Sequence, residues 1–159
     1  MYSLSIFTTD IRSISYPDGR VYMGPCSVVP NGRGKMTYAD GRVYEGHYID
    51  GVRTGRSKLT LSDGATYEGD WTDGKCTGQG MLTWSTSGVD AGAVYVGDLV
   101  EGLRSGRGRM TSPDGGVYIG EWLKDKRNGQ GVHISTSGKV LNGQWKENKY
   151  MGDSSCIIS

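Results

Sequence analysis

The sequence predicts an elongated all-β protein, a single-layer antiparallel β-meander in which hairpins follow one another as a solenoid. The first observation is a Tyr-x-Gly triplet that recurs at intervals of 22 to 28 residues. The second is the glycine content, 27 of 159 residues, against roughly 7% in ordinary proteins. The third is a shortage of aliphatic side chains, since Leu, Ile, Val and Phe together number only 29. Neither a large globular core nor a long α-helix is therefore expected.

The repeat unit is built around the Tyr-x-Gly triplet. The triplet begins at Tyr22, Tyr44, Tyr67, Tyr95 and Tyr118. A degenerate sixth copy begins at Leu141, and the longest interval contains an insertion around residues 87–93. A Gly-x-Gly follows ten or eleven residues after each tyrosine, except in the second unit, where Gly55-Arg56-Ser57 replaces it.

Each unit is predicted to be a β-hairpin. A first strand of the type Val43 to Tyr48 leads through a polar loop such as Asp50 to Thr54 into a second strand of the type Gly32 to Tyr38. An Asp-Gly pair then turns the chain into the next unit, because this pair tolerates positive φ. These pairs are Asp18-Gly19, Asp40-Gly41, Asp63-Gly64 and Asp114-Gly115. We therefore expect an N-terminal segment (residues 1–14), an array of about six repeats with degenerate ends (15–152) and a C-terminal tail (153–159).

Side-chain alternation along the strands assigns the two faces of the sheet. Tyr67, Gly69 and Trp71 share one face, and we expect Gly78 and Gly80 of the following strand to share it too. Tyrosine rings would then lie over glycine backbone, because a Cβ would push a ring away. The intervening positions are mostly polar, which predicts one aromatic face and one wet face.

The best copy of the unit extends from Tyr67-Glu68-Gly69-Asp70-Trp71 to Gly78-Gln79-Gly80. It resembles the MORN-repeat family, and the resemblance extends from about Ser15 to Gly152. The chain departs from the pattern at Pro25-Cys26, at Leu99 in place of Trp, and in the sixth unit, which lacks its tyrosine. The resemblance implies a eukaryotic, stand-alone scaffold or adaptor rather than an enzyme, since no residues remain for a catalytic domain.

Composition and motifs exclude several other functions. The net charge of +1 argues against a nucleic-acid partner. No P-loop or nucleophile elbow is present, and His47 and His133 lie in different repeats, so neither a cofactor, a metal site nor a catalytic site is expected. The first residues do not form a secretion signal, and the three cysteines are widely spaced, which indicates a reducing, cytoplasmic compartment.

The aromatic stripe has two interpretations. It is the core of a thin sheet, or part of it stays open as a groove for a partner helix or peptide. We predict that such a groove binds protein. Its candidate residues are Tyr44, Tyr48, Tyr67, Trp71, Tyr118, Trp122 and Trp145.

Basic residues recur in the predicted hairpin loops. They are Arg53, Lys75, Arg104, Lys126 and Arg127. Stacked along one edge, they form either an ordinary solvated surface or a site for anionic lipid, where each basic residue contributes about 1 kcal/mol. The unpaired terminal strands of the sheet favour self-association, so a homodimer through the terminal repeats is a further possibility.

The C-terminal tail contains a prenylation motif. It ends in Cys156-Ile157-Ile158-Ser159, a CaaX box of the farnesyl type with Cys156 as the acceptor. The sequence therefore predicts a scaffold tethered to the cytosolic face of a membrane. The alternatives are a module that binds phosphoinositides or other anionic lipids, and a ciliary or cytoskeletal component without membrane contact.

Overall fold

The computed structural model describes residues 11–25, 29–85, 87–88 and 90–153, which form one antiparallel sheet. Its thirteen strands pair in the order of the sequence, each with the next. They are β1 (Ile11–Ser15), β2 (Val21–Pro25), β3 (Gly32–Thr37), β4 (Val43–Ile49), β5 (Val52–Thr60), β6 (Thr66–Thr72), β7 (Lys75–Thr83), β8 (Val94–Val100), β9 (Leu103–Thr111), β10 (Val117–Leu123), β11 (Lys126–Ile134), β12 (Val140–Lys146) and β13 (Lys149–Gly152).

This architecture confirms the predicted all-β meander of tandem hairpins in a single layer. The sheet begins at Ile11, inside the segment 1–14 that the sequence places before the array, and it ends at Gly152, the last residue of the predicted array. No helix in the described part of the chain has the length and hydropathy of a membrane span.

Two-residue turns close the hairpins within the repeats. They are Asp50-Gly51, Asp73-Gly74, Glu101-Gly102, Lys124-Asp125 and Glu147-Asn148, and both residues of each pair have positive φ. This is the geometry of type I′ turns, whose twist matches that of the strands they join. The predicted polar loop Asp50 to Thr54 is therefore wrong in extent, because the turn needs two residues and β5 begins at Val52.

The Asp-Gly turns between repeats lie on the opposite edge, as the sequence predicts. In the first of them the Tyr16 amide donates to the Arg20 carbonyl at 2.9 Å. Gly19 takes a φ of 82°, and the Asp18 carboxylate accepts a bond from the Arg20 amide at 3.2 Å. The turn thus supplies partners for backbone groups that the strands leave unpaired.

Neighbouring hairpins are joined at the I′ turns as well as along the strands. The Gly74 amide donates to the carbonyl of Arg53 at 3.0 Å, and the Gly102 amide donates to that of Cys76 at 2.8 Å. The same bond recurs between the following hairpins. Each turn is therefore fixed by the hairpin before it.

Candidate binding surfaces on the two faces of the sheet

A row of glycines crosses the sheet from β2 to β12, interrupted once by a serine. We call it the glycine ladder: Gly24, Gly34, Gly46, Ser57, Gly69, Gly80, Gly97, Gly108, Gly120, Gly131 and Gly143. On the aromatic face, tyrosine rings lie over most of its glycines, and a Cβ built on Gly131 would lie 2.5 Å from Cζ of Tyr118. The predicted packing of rings over glycine backbone is confirmed.

Each of these tyrosines is also fixed by its hydroxyl group. Tyr67 donates to the Asp70 carbonyl at 2.8 Å, and Tyr95 donates to the Asp98 carbonyl at 2.9 Å. Burial raises the pKa of Tyr95 to about 12, because the ionised phenolate would lose its hydration. The tyrosines are thus neutral hydrogen-bond donors at physiological pH.

Tryptophans connect the tyrosines of successive repeats. Trp71 makes edge-to-face contacts with Tyr44 and Tyr67, at centroid distances of 5.1 and 5.6 Å. Trp122 lies in the same way between Tyr95 and Tyr118, at 5.4 and 5.2 Å. Such contacts stabilise by about 0.5–1.5 kcal/mol each beyond their buried area.

Arginine side chains cover the outer side of these rings. The Arg53 guanidinium lies 4.4 Å from the Trp71 ring centroid, Arg104 lies 4.5 Å from that of Trp122, and Arg127 lies 4.5 Å from that of Trp145. A single-layer sheet can therefore keep the rings of Trp71, Trp122 and Trp145 only 4–6% exposed, because cations lie over them where a second layer would otherwise be needed.

One junction between repeats, that of residues 67–89 with residues 95–117, lacks both parts of this arrangement. At the position of Arg53 and Arg104 the chain has Cys76, and at the position of Trp71 and Trp122 it has Leu99. The series of ring contacts that reaches Tyr67 consequently does not continue to Tyr95 within the described residues.

An apolar opening of about 240 Å³ lies at this break on the aromatic face. The residues that line it are Leu59, Leu61, Ala65, Thr66, Tyr67, Cys76, Leu82, Thr83, Trp84, Leu99 and Gly102. Leu82 and Trp84 are half-buried, so they remain accessible to a ligand. Burial raises the pKa of the Cys76 thiol, so the thiol stays neutral and the opening apolar.

The other face of the sheet, which we call the back face, has two hollows along the glycine ladder. The first, of about 880 Å³, is lined by Arg33, Lys35, Glu45, Arg56, Lys58 and Glu68 among others. The second, of about 550 Å³, is lined by Gln79, Val96, Arg107, Ile119, Gln130 and Val132 among others. Together they form what we call the trough.

Comparison with known families now identifies the repeats. The sequence profile described as "MORN repeat" matches residues 29–41, 44–66, 67–89, 95–117 and 118–140, five copies in all. The chain belongs to the MORN-repeat family. MORN repeats are generally modules that bind proteins or lipids. The first and last hairpins of the sheet lie outside the matched segments, in keeping with the degenerate end repeats.

Comparisons beyond the family are weak. No curated protein sequence matches the chain. One similar structure is the SAS-4 (dCPAP) TCP domain of Drosophila melanogaster in complex with a proline-rich motif of Ana2 (dSTIL), at 14% identity and a TM-score of 0.39, with 84% of this chain and 83% of that chain covered. Another is streptogramin B lyase, at 13% identity and a TM-score of 0.27, with 89% and 56% covered. Similarities this low have no bearing on function.

The structure places the predicted partner groove in the core of the MORN sheet. Its seven residues, Tyr44, Tyr48, Tyr67, Trp71, Tyr118, Trp122 and Trp145, are 0–6% exposed. Of these, only Tyr67 borders the opening. The apolar surface left accessible on this face is formed instead by Leu59, Leu82, Trp84 and their neighbours. The binding of a protein to this face stays a prediction, and these side chains replace the seven as its candidate contacts.

The predicted basic edge is also rearranged. All five of its residues lie in strands rather than loops. Arg53, Arg104 and Arg127 cover aromatic rings, while Lys75 and Lys126 form exposed ion pairs with Glu101 and Glu147. Side-chain alternation could have predicted the position of the arginines. Arg53 lies two residues before Gly55 and four before Ser57, so it shares the face of the sheet on which the rings lie. The lysines remain on the edge, and their binding to lipid stays a prediction.

Two further predictions concern sites of chemistry. Cys156, the predicted prenylation site, lies outside the described residues. His47 is exposed on the back face, whereas His133 lies against the Trp145 ring with centroids 6.2 Å apart. Within residues 11–25, 29–85, 87–88 and 90–153, no group of His, Cys, Asp or Glu side chains is arranged to hold a metal ion.

Proposed function

We propose that this MORN-repeat chain is a non-enzymatic scaffold or adaptor that binds a helix or peptide of a protein partner. The observation that carries the proposal is the apolar opening on the aromatic face, where Cys76 and Leu99 replace the arginine and tryptophan of the other repeats. An apolar side chain of the partner would fill the volume that an indole fills elsewhere. Burial of such a side chain stabilises a complex by about 1.5–3 kcal/mol.

The chain offers a direct test, because its other repeats show what closes the opening. The double variant Cys76→Arg/Leu99→Trp places a guanidinium and an indole where Arg104 and Trp122 stand in a later repeat. We expect this variant to remain folded and to lose its partner. Leu123→Ser serves as the control, since Leu123 is 52% exposed and lies away from the opening.

The measurement is quantitative affinity capture of the full-length protein from eukaryotic cells, followed by titration of the captured partner. Proteins retained by the wild type and Leu123→Ser, and lost with the filled variant, support the proposal. Equal retention by all three proteins would show that the opening is not the binding site.

The membrane tether is a separate part of the proposal. We infer that Cys156 is prenylated, which would place the scaffold on the cytosolic face of a membrane. One prenyl chain gives only marginal anchoring, so a second contact is required. Membrane fractionation of the wild type, Cys156→Ser and the control Cys26→Ser tests this point. A shift to the cytosol in Cys156→Ser alone supports the tether; identical behaviour of all three overturns it and leaves a cytoskeletal or ciliary component as the alternative.

A lipid-binding function is a second candidate, favoured by the exposure of the edge lysines. The side chains of Lys75 and Lys126 are 58% and 49% exposed. Unmodified protein should then bind vesicles that contain phosphatidylserine or phosphoinositide, and Lys75→Glu/Lys126→Glu should reduce the binding without unfolding the sheet. Absence of binding by the unmodified wild type would eliminate this candidate.

A further inference from the structure

The arginines of the sheet fall into two groups. Most of those on the aromatic face and at the turns have partners, as Arg53 does in Trp71 and Arg42 does in Asp40. Four others project from the back face: Arg33, Arg56, Arg107 and Arg109. In the part of the chain that the structure describes, no hydrogen bond or ion pair engages any of these four guanidinium groups.

Three carboxylates of the back face are already engaged, whereas Glu121 lies across the strands from Arg107 without an ion pair to it among the described residues. Glu45 pairs with Lys35 at 3.3 Å, and Glu68 pairs with Lys58 at 2.7 Å. Asp98 accepts a hydrogen bond from the backbone amide of Arg107 at 2.7 Å. These acids are occupied by lysines or by the backbone, so the guanidinium groups remain uncompensated and available to an anionic ligand.

Asp70 is engaged in the same way. It accepts a hydrogen bond from the Gln79 amide at 3.1 Å, although it lies directly across the strands from Arg56. At this point of the trough, the Asp70 carboxylate therefore binds a backbone amide and forms no ion pair with Arg56.

The arginines follow the length of the trough: Arg33 and Arg56 line the first hollow and Arg107 lines the second, with Arg109 beside it on the same face of β9. They extend from β3 to β9, six strand spacings apart, which is about 29 Å. The rows of side chains on either side of the glycine ladder are two residues apart along each strand, or about 7 Å. An α-helix, about 10–12 Å in diameter, is too wide to enter such a trough. An extended chain fits, and about nine of its residues would reach from Arg33 to Arg109.

The same face also has apolar side chains. Met81, Val96 and Ile119 lie beside the ladder and are 37%, 50% and 50% exposed. A polyanion without apolar groups would leave them in water. Single-stranded nucleic acid would need aromatic stacking platforms, which lie on the other face, and a flat membrane would not enter a recessed trough.

We propose that the trough is a second binding site, which takes an extended peptide segment rich in Asp and Glu with interspersed aliphatic residues. Its carboxylates bind Arg33, Arg56, Arg107 and Arg109, and its aliphatic side chains cover Val96 and Ile119. The site faces away from the apolar opening, so the two surfaces can hold different partners at once. This inference is independent of whether the opening is occupied.

A fluorescein-labelled synthetic peptide of about twelve residues, Glu-rich with interspersed Val and Pro to keep it extended, is the probe for fluorescence anisotropy with full-length protein. The variants are Arg33→Gln/Arg56→Gln and Arg107→Gln/Arg109→Gln. The control is Lys124→Gln/Lys139→Gln, which removes the same charge at exposed positions outside the trough. We expect each arginine pair to weaken binding at least tenfold and the lysine pair to change it less than twofold, with thermal melting unchanged in all three.

Several results would overturn the proposal. One is equal binding of the same peptide with Gln in place of Glu, and another is equal weakening by the lysine pair. A third is binding of phosphatidylserine vesicles or single-stranded DNA that depends on the same arginines and displaces the peptide. The filled variant Cys76→Arg/Leu99→Trp should bind the peptide as the wild type does, since the trough works without the opening, and loss of peptide binding in that folded variant would overturn the assignment of the peptide to the trough.

Discussion

The ring of Tyr67 lies over Gly80 on the neighbouring strand, and a Cβ built on Gly80 would lie 2.9 Å from Cζ of the ring. Gly69, the strand partner of Gly80, lies beneath the tyrosine hydroxyl, and a Cβ there would be 2.5 Å from that oxygen. Two glycines on adjacent strands thus form the platform for one ring. The aromatic core depends on residues that contribute no side chain to it.

Substitution Gly80→Val should displace the Tyr67 ring. The backbone of Gly80 lies outside the left-handed region, so the cost is steric, and overpacking of this kind costs about 1–3 kcal/mol or more. Gln79→Val is the matched control, because Gln79 is exposed and points to the back face; it should cost less than about 1 kcal/mol. Urea unfolding curves of the two variants compare them, and similar midpoints would refute the ring-over-glycine packing.

The contributions of Ser57 and His47 to the free energy of unfolding should be coupled. In another repeat a glycine stands at the position of Ser57 and an acid, Asp98, at the position of His47. The Ser57 hydroxyl accepts a bond from the His47 amide at 3.2 Å, whereas elsewhere Asp98 accepts one from the Arg107 amide. We expect Ser57→Gly to cost about 1 kcal/mol through the lost hydrogen bond. Adding His47→Asp should restore most of that stability, because the new carboxylate can accept from the Arg56 amide.

A double-mutant cycle measures this coupling, with His47→Asp alone as its fourth corner. Additive free energies of unfolding would mean that the serine–histidine pair and the glycine–acid pair are not alternative ways to satisfy the backbone at this position.

Arg104 should contribute more to stability than any exposed charge. Its guanidinium covers Trp122 and donates to the Asp125 carboxylate at 2.9 Å and to the Asp125 carbonyl at 3.0 Å. Arg104→Lys keeps the charge but loses the planar fork, so we expect a loss of about 1–3 kcal/mol. Arg109→Lys should leave the stability unchanged, because the Arg109 guanidinium has no hydrogen bond or ion pair among the described residues. Thermal melting distinguishes them, and equal melting temperatures would contradict the covering role of Arg104.

Alkaline pH should unfold the sheet cooperatively. Burial holds the pKa of Tyr95 at about 12, above the ordinary value of 10.0, and it raises the pKa values of Tyr44, Tyr67 and Tyr118 as well. The unfolded chain therefore loses phenolic protons first, and the free energy of unfolding falls as the pH rises from 10 to 12. Tyrosinate absorbance and circular dichroism should change together in this range. Ionisation of the buried tyrosines near pH 10 without loss of β-structure would contradict the expectation.

Much of the fold was predictable because it depends on local chemistry. Asp-Gly pairs determine turns, and strand alternation places Tyr67 and Gly80 on one face. The environment of the arginines was not predicted, because the contact between Arg104 and Trp122 joins different repeats across the sheet. The apolar opening depends on two departures from the repeat pattern, Cys76 and Leu99, which lie on different strands and come together only when those strands pair. The trough arises from side chains on many strands, so no single repeat contains its pattern.

The bonds between successive I′ turns have an evolutionary consequence. The Gly102 amide is satisfied by the Cys76 carbonyl of the preceding hairpin, and the same backbone bond recurs at the other internal turns, so every internal unit offers the next turn the same backbone acceptor. Duplication or deletion of a whole unit would therefore leave both new junctions compatible. Each added hairpin lengthens the sheet by about 10 Å, so gene duplication can adjust the separation of two attached partners in fixed steps, without redesign of either terminus.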